Sequence, residues 1–327
     1  MKLQDLPLRD LPDRCPKTFN EKENACRMLF DAYIANGQTF WHVCTPGTNQ
    51  AVIFRCPEDY KFAVNAAATS AHDAGIRIIT FEIMSNHVHF IVMCRDKEVA
   101  MAFFELFKRR LIRYFRELRS PRDFSEFEAD PIPIDSLESL RNQIAYTNRN
   151  NFVVDPDQTP FSFPYGANAY YFNPFAKMLK GKKFGDMSDR AKMRLVHSKQ
   201  IAYPNDFVVL DEMILPMSFC DVSLGERFFR DARHYMYKIT RDVESYKEIA
   251  ESLGDLAYYT DDELVGIIYS ICGKNYGLKS PYLLNIDQRS ELARTLHYEY
   301  KVDNAKISRL LRIPRNSVDA MFPMSKR

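Results

Sequence analysis

The pattern of hydrophobic and polar positions predicts that the first half of the chain mixes strands with helices. Runs of aromatic and β-branched residues, typical of strands, occur at 39–45 (TFWHVCT), 51–56 (AVIFRC), 76–84 (IRIITFEIM) and 87–94 (HVHFIVMC). Only Ser85 and Asn86 separate the last two runs, which predicts a hairpin. Helices are predicted at 57–75, an Ala-rich stretch that ends at Gly75, and at 97–119.

This order of two strands, a helix, two strands and a helix predicts an α+β fold of the ferredoxin-like type. Such a fold has one antiparallel sheet with its helices packed on one face, so that the other face can hold a site. Residues 1 to about 35 are polar, broken by prolines and then weakly helical. A Pro-rich acidic loop is expected at 120–138, a short helix at 137–150 and an aromatic loop at 151–173.

The length of 327 residues predicts roughly two domains, at about 150 residues per domain. We expect an α+β domain at 36–176, a basic linker at 177–219 and an all-α C-terminal region at 220–327. Short helices with brief breaks in that last region predict a helix-turn-helix, in which Arg315 and Asn316 open the recognition helix. The alternative is a plain helical bundle that docks on the first domain or on a partner chain.

The charge is balanced overall but not locally. Lys and Arg number 45 against 43 Asp and Glu, a net charge of +2, which excludes a uniformly basic nucleic-acid binder. Residues 95–119 hold eight basic and four acidic side chains, and residues 177–199 hold eight and two. These two segments are where contacts with a polyanion are expected.

Several features indicate a reduced, cytoplasmic protein. Apolar runs such as 90–94 (FIVMC) are far shorter than the roughly 18 residues that span a bilayer. The first fifteen residues (MKLQDLPLRDLPDRC) contain acids and prolines where a signal peptide has an apolar stretch. The seven cysteines are scattered and form no C-x-x-C pair, which disfavours a disulfide framework or a zinc ribbon.

Two histidines in the fourth strand-like run, His87 and His89, are the first candidates for chemistry. Residues two apart on a strand point to the same face, so both imidazoles would project together. With one or two oxygen donors they form a divalent-metal site that leaves positions open for a phosphate. Alternatively, the pair is a coincidence of two surface or half-buried histidines.

Two further candidates lie on predicted helices. Arg109, Arg113 and Arg116 form a basic stripe flanked by Lys108, suited either to phosphate contacts or to a solvated helix face. Tyr146 lies one helical turn before Asn150. A tyrosine near a metal can attack a phosphodiester and form a phosphotyrosine, whereas most tyrosines on helices simply pack their rings.

Read in order, these motifs resemble the single-tyrosine HUH transposases, the insertion-sequence-200-like family with its REP-associated tyrosine transposase branch. That family typically carries the strand motif M-P-N-H-V-H and the helix motif Y-I-x-x-N-P. Residues 84–89 (MSNHVH) match the first with serine in place of proline, and residues 146–151 (YTNRNN) keep the tyrosine and asparagine of the second. The resemblance covers roughly residues 38–170, where PFSFPYG at 160–166 is similar to the family's P-x-S-S-Y segment.

The resemblance implies a site and a reaction. His87 and His89 would hold Mg²⁺ or Mn²⁺, with Asn150 as a third polar ligand, and Tyr146 would be the nucleophile. The enzyme would cut and rejoin single-stranded DNA beside hairpins through a 5′-phosphotyrosine. Because the ester conserves the energy of the broken bond, no nucleotide cofactor is needed, and the sequence has no Walker or G-x-G-x-x-G motif. The residues expected to contact DNA are Lys108, Arg109, Arg113, Arg116, Arg315 and Asn316.

Two other functions stay open beside the transposase. One is a domesticated relative that binds hairpin DNA without cutting it, and the other is an HUH replication-initiation nickase or relaxase. In each case the resemblance implies a bacterial, nucleoid-associated protein without membrane contact. Some relatives pair their histidines and tyrosine across two chains, whereas the long C-terminal extension favours a monomer, so a homodimer is one of two expectations.

Overall fold

The computed structural model describes residues 18–47, 50–154, 161, 163–241, 249, 261–300 and 302–323. The polar N-terminal residues 1–17 lie outside the described part of the chain. So do residues 155–160 and 162 of the predicted aromatic loop, which include two positions of the segment at 160–166.

One antiparallel sheet organises the first region. Its strands are β1 (Thr39–Cys44), β2 (Arg77–Ile83), β3 (Val88–Cys94) and β4 (Ile132–Ile134), in the order β2-β3-β1-β4. Helix α2 (Pro57–Ala74) connects β1 to β2, and α3 (Lys97–Glu117) lies between β3 and β4. The α+β class, the antiparallel sheet and the strands predicted at 39–45, 76–84 and 87–94 are therefore confirmed.

The fourth strand is not the one that the sequence predicts. The run at 51–56 forms no ladder, because the backbone N–H groups of Ile53 and Phe54 both donate to the carbonyl of Ser85 while their side chains enter the core. The edge strand is β4 instead, within the predicted acidic loop. It is three residues long and contains Pro133, which an edge strand tolerates but which hides the strand pattern.

Helices cover both faces of the sheet, and not one face as predicted. Phe90 of β3 packs against Phe103 and Phe107 of α3, with ring centroids 5.1 and 5.2 Å apart. On the opposite face α4 (Leu137–Val154) packs against β2 and β3. The sequence hides this packing because the buried side of α4 includes polar residues such as Arg141 and Asn148, which break the apolar stripe of an amphipathic helix.

Two further helices complete that second face. Helix α1 (Phe19–Ala35) begins at a capping box of Thr18 and Glu21, and its Phe30 stacks on Phe40 of β1 at 5.5 Å. Helix α7 (Ala232–Arg241) packs against α4. The face of the sheet that was expected to be free is therefore covered by α1, α4 and α7.

The segment predicted as a basic linker, 177–219, carries structure of its own. It contains β5 (Lys182–Lys183), α5 (Asp189–Val196), β6 (Val208–Leu210) and β7 (Met213–Ile214), and its small core reaches Ala68 of α2. Helix α6 (Val222–Arg227) and α7 then contribute to the core of the first region. The packed unit thus runs beyond residue 219, into the part that was expected to be C-terminal.

A second core begins with the later helices. These are α8 (Asp261–Tyr276), α9 (Ile286–Tyr298), α10 (Asn304–Leu311) and α11 (Arg315–Met321), which bury a shared set of aliphatic side chains. Arg312, with a φ of +52°, ends α10, and α11 begins at Arg315 as expected. Within the described ranges, none of the helices has the length and apolar character needed to cross a membrane.

Candidate functional site

His89 occupies the middle of the sheet face beneath α4. The register pairs it with Cys44 of β1 on one side and with Glu82 of β2 on the other. Directly opposed residues of antiparallel strands share a face, so all three side chains point toward α4. His89 is completely buried, so its imidazole does not project from an open face of the sheet as the sequence predicted.

His42 links His89 to α4. Its Nε2 lies 3.1 Å from Nδ1 of His89, and its Nδ1 lies 2.5 Å from Oε1 of Gln143. His42 is fully buried and Gln143 nearly so. A continuous line of hydrogen bonds therefore joins α4, β1 and β3 through three side chains.

Tyr146 stands over the same histidines. It follows Gln143 by three residues, so the two share a face of α4. Its ring centroid is 5.5 Å from that of His89 and 6.2 Å from that of His42, and only 1% of the residue is exposed. The structure thus brings the predicted nucleophile to one of the two predicted metal-binding histidines.

His87 lies in the turn before β3 and not on the strand itself. Its ring is nevertheless 5.0 Å from the ring of His89. Its Nδ1 is 2.8 Å from Oδ1 of Asn86, and the Asn86 amide donates to the carbonyls of Gly47 and Gln50 at 2.7 and 3.0 Å. The predicted pair is therefore together, with His87 positioned by the turn and half-buried.

Asn150 is the predicted third ligand. It follows Tyr146 by one turn of α4 and is buried. Its position beyond the tyrosine agrees with the expected spacing, while its role as a metal ligand stays a prediction.

A group that sequence reasoning missed can hold a metal ion. His42, Cys44 and His89 each offer a ligand atom, and these atoms lie within 4.8 Å of one another. Two imidazoles and a thiolate suit Zn²⁺ or Co²⁺, whereas Mg²⁺ takes oxygen ligands. This group does not fit the expected Mg²⁺, while the two imidazoles of His87 and His89 with an amide oxygen are compatible with Mn²⁺.

The missed residues had a signal in the sequence. His42 and Cys44 are two apart on a predicted strand, the same spacing that singled out His87 and His89. Glu82, buried on the same face, alternates in the same way along β2. Gln143 shares its helix face with Tyr146, so the strand and helix periodicities together would have grouped these side chains.

The arginine stripe lies elsewhere. Arg109, Arg113 and Arg116 are exposed along α3, which covers the face of the sheet opposite His89 and Tyr146. Lys108 pairs with Glu128, and only 12% of its side chain is exposed. The three arginines therefore form one basic surface, separated from the candidate site by the sheet, and Lys108 is turned to an acidic partner.

The predicted recognition helix presents Arg315 and Asn316 to solvent at the start of α11. The Arg315 Nε lies 3.0 Å from both carboxylate oxygens of Asp319, one turn further along. Both residues are accessible, and the Arg315 guanidinium is oriented along its own helix.

The sheet, the buried histidines and Tyr146 define the site by geometry alone. Comparisons of the chain with protein-family models, with curated protein sequences and with solved structures found no match in any of the three.

Proposed function

We propose that this protein is a metal-assisted endonuclease and strand transferase of single-stranded DNA, of the single-tyrosine HUH transposase type, with Tyr146 as its nucleophile. One observation carries the proposal. His87 from a turn, His89 from β3 and Tyr146 from α4, separated by up to 59 positions in the chain, meet with ring centroids 5.0 and 5.5 Å apart. The strand order β2-β3-β1-β4 with its two connecting helices is the order of a ferredoxin-like sheet, which supports the same assignment.

The proposed reaction begins with the phenol oxygen of Tyr146 as the nucleophile. The Tyr146 oxygen attacks the scissile phosphorus, the bond from phosphorus to the 3′ oxygen breaks, and the tyrosine keeps the 5′ phosphate as an ester. The proton that the phenol loses balances the proton that the departing 3′ oxygen gains. A second 3′-hydroxyl then attacks the ester and restores the free tyrosine. No external energy source is required because each step exchanges one phosphodiester for another.

A divalent ion, when bound, supplies Lewis-acid polarisation of the scissile phosphate. His87, His89 and Asn150 are the residues that would hold it, and their nitrogen and amide oxygen donors favour Mn²⁺ over Mg²⁺.

DNA would be held at surfaces outside the site. The exposed face of Arg109, Arg113 and Arg116 suits the phosphate backbone of a hairpin stem. We assign α10 and α11 to a helix-turn-helix, in which the exposed Arg315 and Asn316 face the major groove.

One observation favours a second candidate, a hairpin-binding protein that does not cut. Tyr146 is 1% exposed and His89 is fully buried, so a phosphate reaches them only if covering side chains move aside. In a protein that only binds DNA, the same residues would be a packed polar core.

A trapping assay separates the two. The protein is incubated with hairpin-bearing single-stranded DNA and Mn²⁺, and adducts are resolved on a denaturing gel. We expect a covalent adduct with the wild type and with Tyr170→Phe, a buried control outside the site, and none with Tyr146→Phe. An adduct that persists in Tyr146→Phe would refute the nucleophile, and wild-type hairpin binding without any adduct would establish the second candidate.

A further inference from the structure

A relay of three buried side chains crosses the layer between α4 and β3. Gln143 of α4 meets His42 of β1 at 2.5 Å, and His42 meets His89 of β3 at 3.1 Å. All three lie in secondary-structure elements and are shielded from solvent. Water does not compete at these contacts, so each hydrogen bond determines which nitrogen of the neighbouring imidazole carries a proton.

The relay determines where the imidazole protons lie. The Gln143 Oε1 can only accept, so Nδ1 of His42 carries the proton. A neutral imidazole has one N–H, which leaves the lone pair on Nε2 of His42. That lone pair accepts from Nδ1–H of His89, and so Nε2 of His89 is the nitrogen with the lone pair.

We infer that His42 and Gln143 are positioning residues that hold His89 in its Nδ1–H tautomer and present its Nε2 to a divalent cation. The use of that cation rests on the proposed function, whereas the tautomer is a property of the protein alone. Histidines that bind metals generally donate their second N–H to a protein acceptor, which fixes the ring orientation and strengthens the ligand. Here the acceptor is another histidine, itself oriented by a glutamine from the helix that carries Tyr146.

A competing arrangement uses the same atoms differently. A metal held by His42, Cys44 and His89 would take one nitrogen from each histidine, and if these were His42 Nε2 and His89 Nδ1, no proton could lie between them. It would require lone pairs on both nitrogens and a thiolate at Cys44. The two arrangements therefore differ in the protonation of His89 Nδ1 and in the participation of sulfur.

Nitrogen NMR of metal-free protein, labelled at its seven histidines, reads the tautomer directly. We expect His89 to show a protonated Nδ1 and an unprotonated Nε2, and His42 to show the same. Gln143→Met removes the acceptor and should leave His42 and His89 in mixed tautomers, while Gln143→Glu restores an acceptor and should restore the wild-type pattern. Thermal unfolding checks that each variant is folded.

Metal binding gives a second readout that does not depend on DNA cleavage. Mn²⁺ titration should give an affinity for Gln143→Met about 10- to 100-fold weaker than for the wild type, with recovery in Gln143→Glu. The inference would be overturned if His89 carried its proton on Nε2. That result would mean that the hydrogen bonds run in the opposite direction, from the Gln143 amide N–H to His42 and from His42 to His89. A thiolate charge-transfer band in the Co²⁺-loaded wild type would also overturn the inference, because it would place the metal on Cys44.

The experiments test the relay from Gln143 to His89 separately from the nuclease function of Tyr146. If His42 and His89 have the expected tautomers and Gln143→Met weakens Mn²⁺ binding, but no Tyr146 adduct forms, the relay is supported and the nuclease function is refuted. An adduct together with a protonated Nε2 on His89 would retain the nuclease and remove the relay.

Discussion

The backbone of Gly47 lies against the imidazole of His87. A Cβ added to Gly47 would stand 2.8 Å from His87 Nδ1 and 3.2 Å from two ring carbons. The Asn86 amide donates to the Gly47 carbonyl while its own oxygen lies 2.8 Å from the same Nδ1. The turn at Asn86 and the backbone of Gly47 thus fix the ring of His87 from two sides, and only glycine at position 47 leaves room for it.

Gly47→Ala is therefore expected to displace His87 while leaving the fold intact. A displacement of about 1 Å at a reacting group costs up to about 100-fold in rate, so adduct formation with Mn²⁺ should fall by 10-fold or more. Single-turnover gels measure this, and Gly266→Ala, whose added methyl meets open space in α8, should react as the wild type does. Undiminished adduct formation in Gly47→Ala would show that the ring position of His87 is unimportant.

His87→Ala should separate cleavage from recognition. The imidazole contributes to the site but to no hydrophobic core among the described residues, so we expect adduct formation to be lost and hairpin affinity to change less than about threefold. Gel shift and the trapping assay on the same preparation give both values. His72→Ala, an exposed histidine of α2, provides the matched control. Equal loss of binding and cleavage would indicate a folding role instead.

The basic surface of α3 predicts a salt effect. Replacing Arg109, Arg113 and Arg116 by glutamine removes three expected phosphate contacts, so the slope of log K against log salt should fall by roughly 2 to 3. Lys108→Gln should alter the slope less, because that ammonium already pairs with Glu128. Hairpin affinities measured at several salt concentrations give the slopes. A triple variant with the wild-type slope would exclude this face of α3 as the DNA contact.

Strand periodicity was sufficient for much of the fold. The alternation in TFWHVCT and HVHFIVMC predicted β1 and β3, because a half-buried strand repeats every two residues. The edge strand at Ile132–Ile134 was not predictable in this way, since three residues around Pro133 give no period. Its place in the sheet depends on pairing with β1, which is a tertiary contact.

The candidate site shows the same division. Spacing alone placed Tyr146 and Asn150 on one helix face, and the family resemblance linked them to the histidines. The covering of the site by α4, α1 and α7 could not be read from the chain, because it depends on polar groups that are satisfied only across elements. The buried Arg141 of α4, for example, bonds the carbonyl of Phe228 at 2.6 Å and both carboxylate oxygens of Glu23.

That last contact makes the layer over the site sensitive to acid. The Glu23 carboxylate of α1 accepts hydrogen bonds from Arg141 at 2.8 and 3.1 Å and from Arg230 at 3.0 Å. These guanidinium groups lower the pKa of Glu23 from 4.5 to about 2. A carboxyl whose folded pKa lies below its unfolded value stabilises the fold above pH 4.5, and this stabilisation is lost as the pH falls toward 2. The linkage is worth at most about 3 kcal/mol, since 22% of the Glu23 side chain remains exposed.

Glu23→Gln should accordingly lower the free energy of unfolding at pH 7 by about 2 to 3 kcal/mol, because Arg141 keeps its charge and loses its main partner. The difference from the wild type should shrink steadily between pH 4.5 and 2, where the wild-type carboxyl becomes protonated as well. Urea unfolding at a series of pH values measures it, with Glu126→Gln as an exposed carboxylate control. A difference that stays constant over this range would mean that the destabilisation comes from altered packing and not from the charge of Glu23.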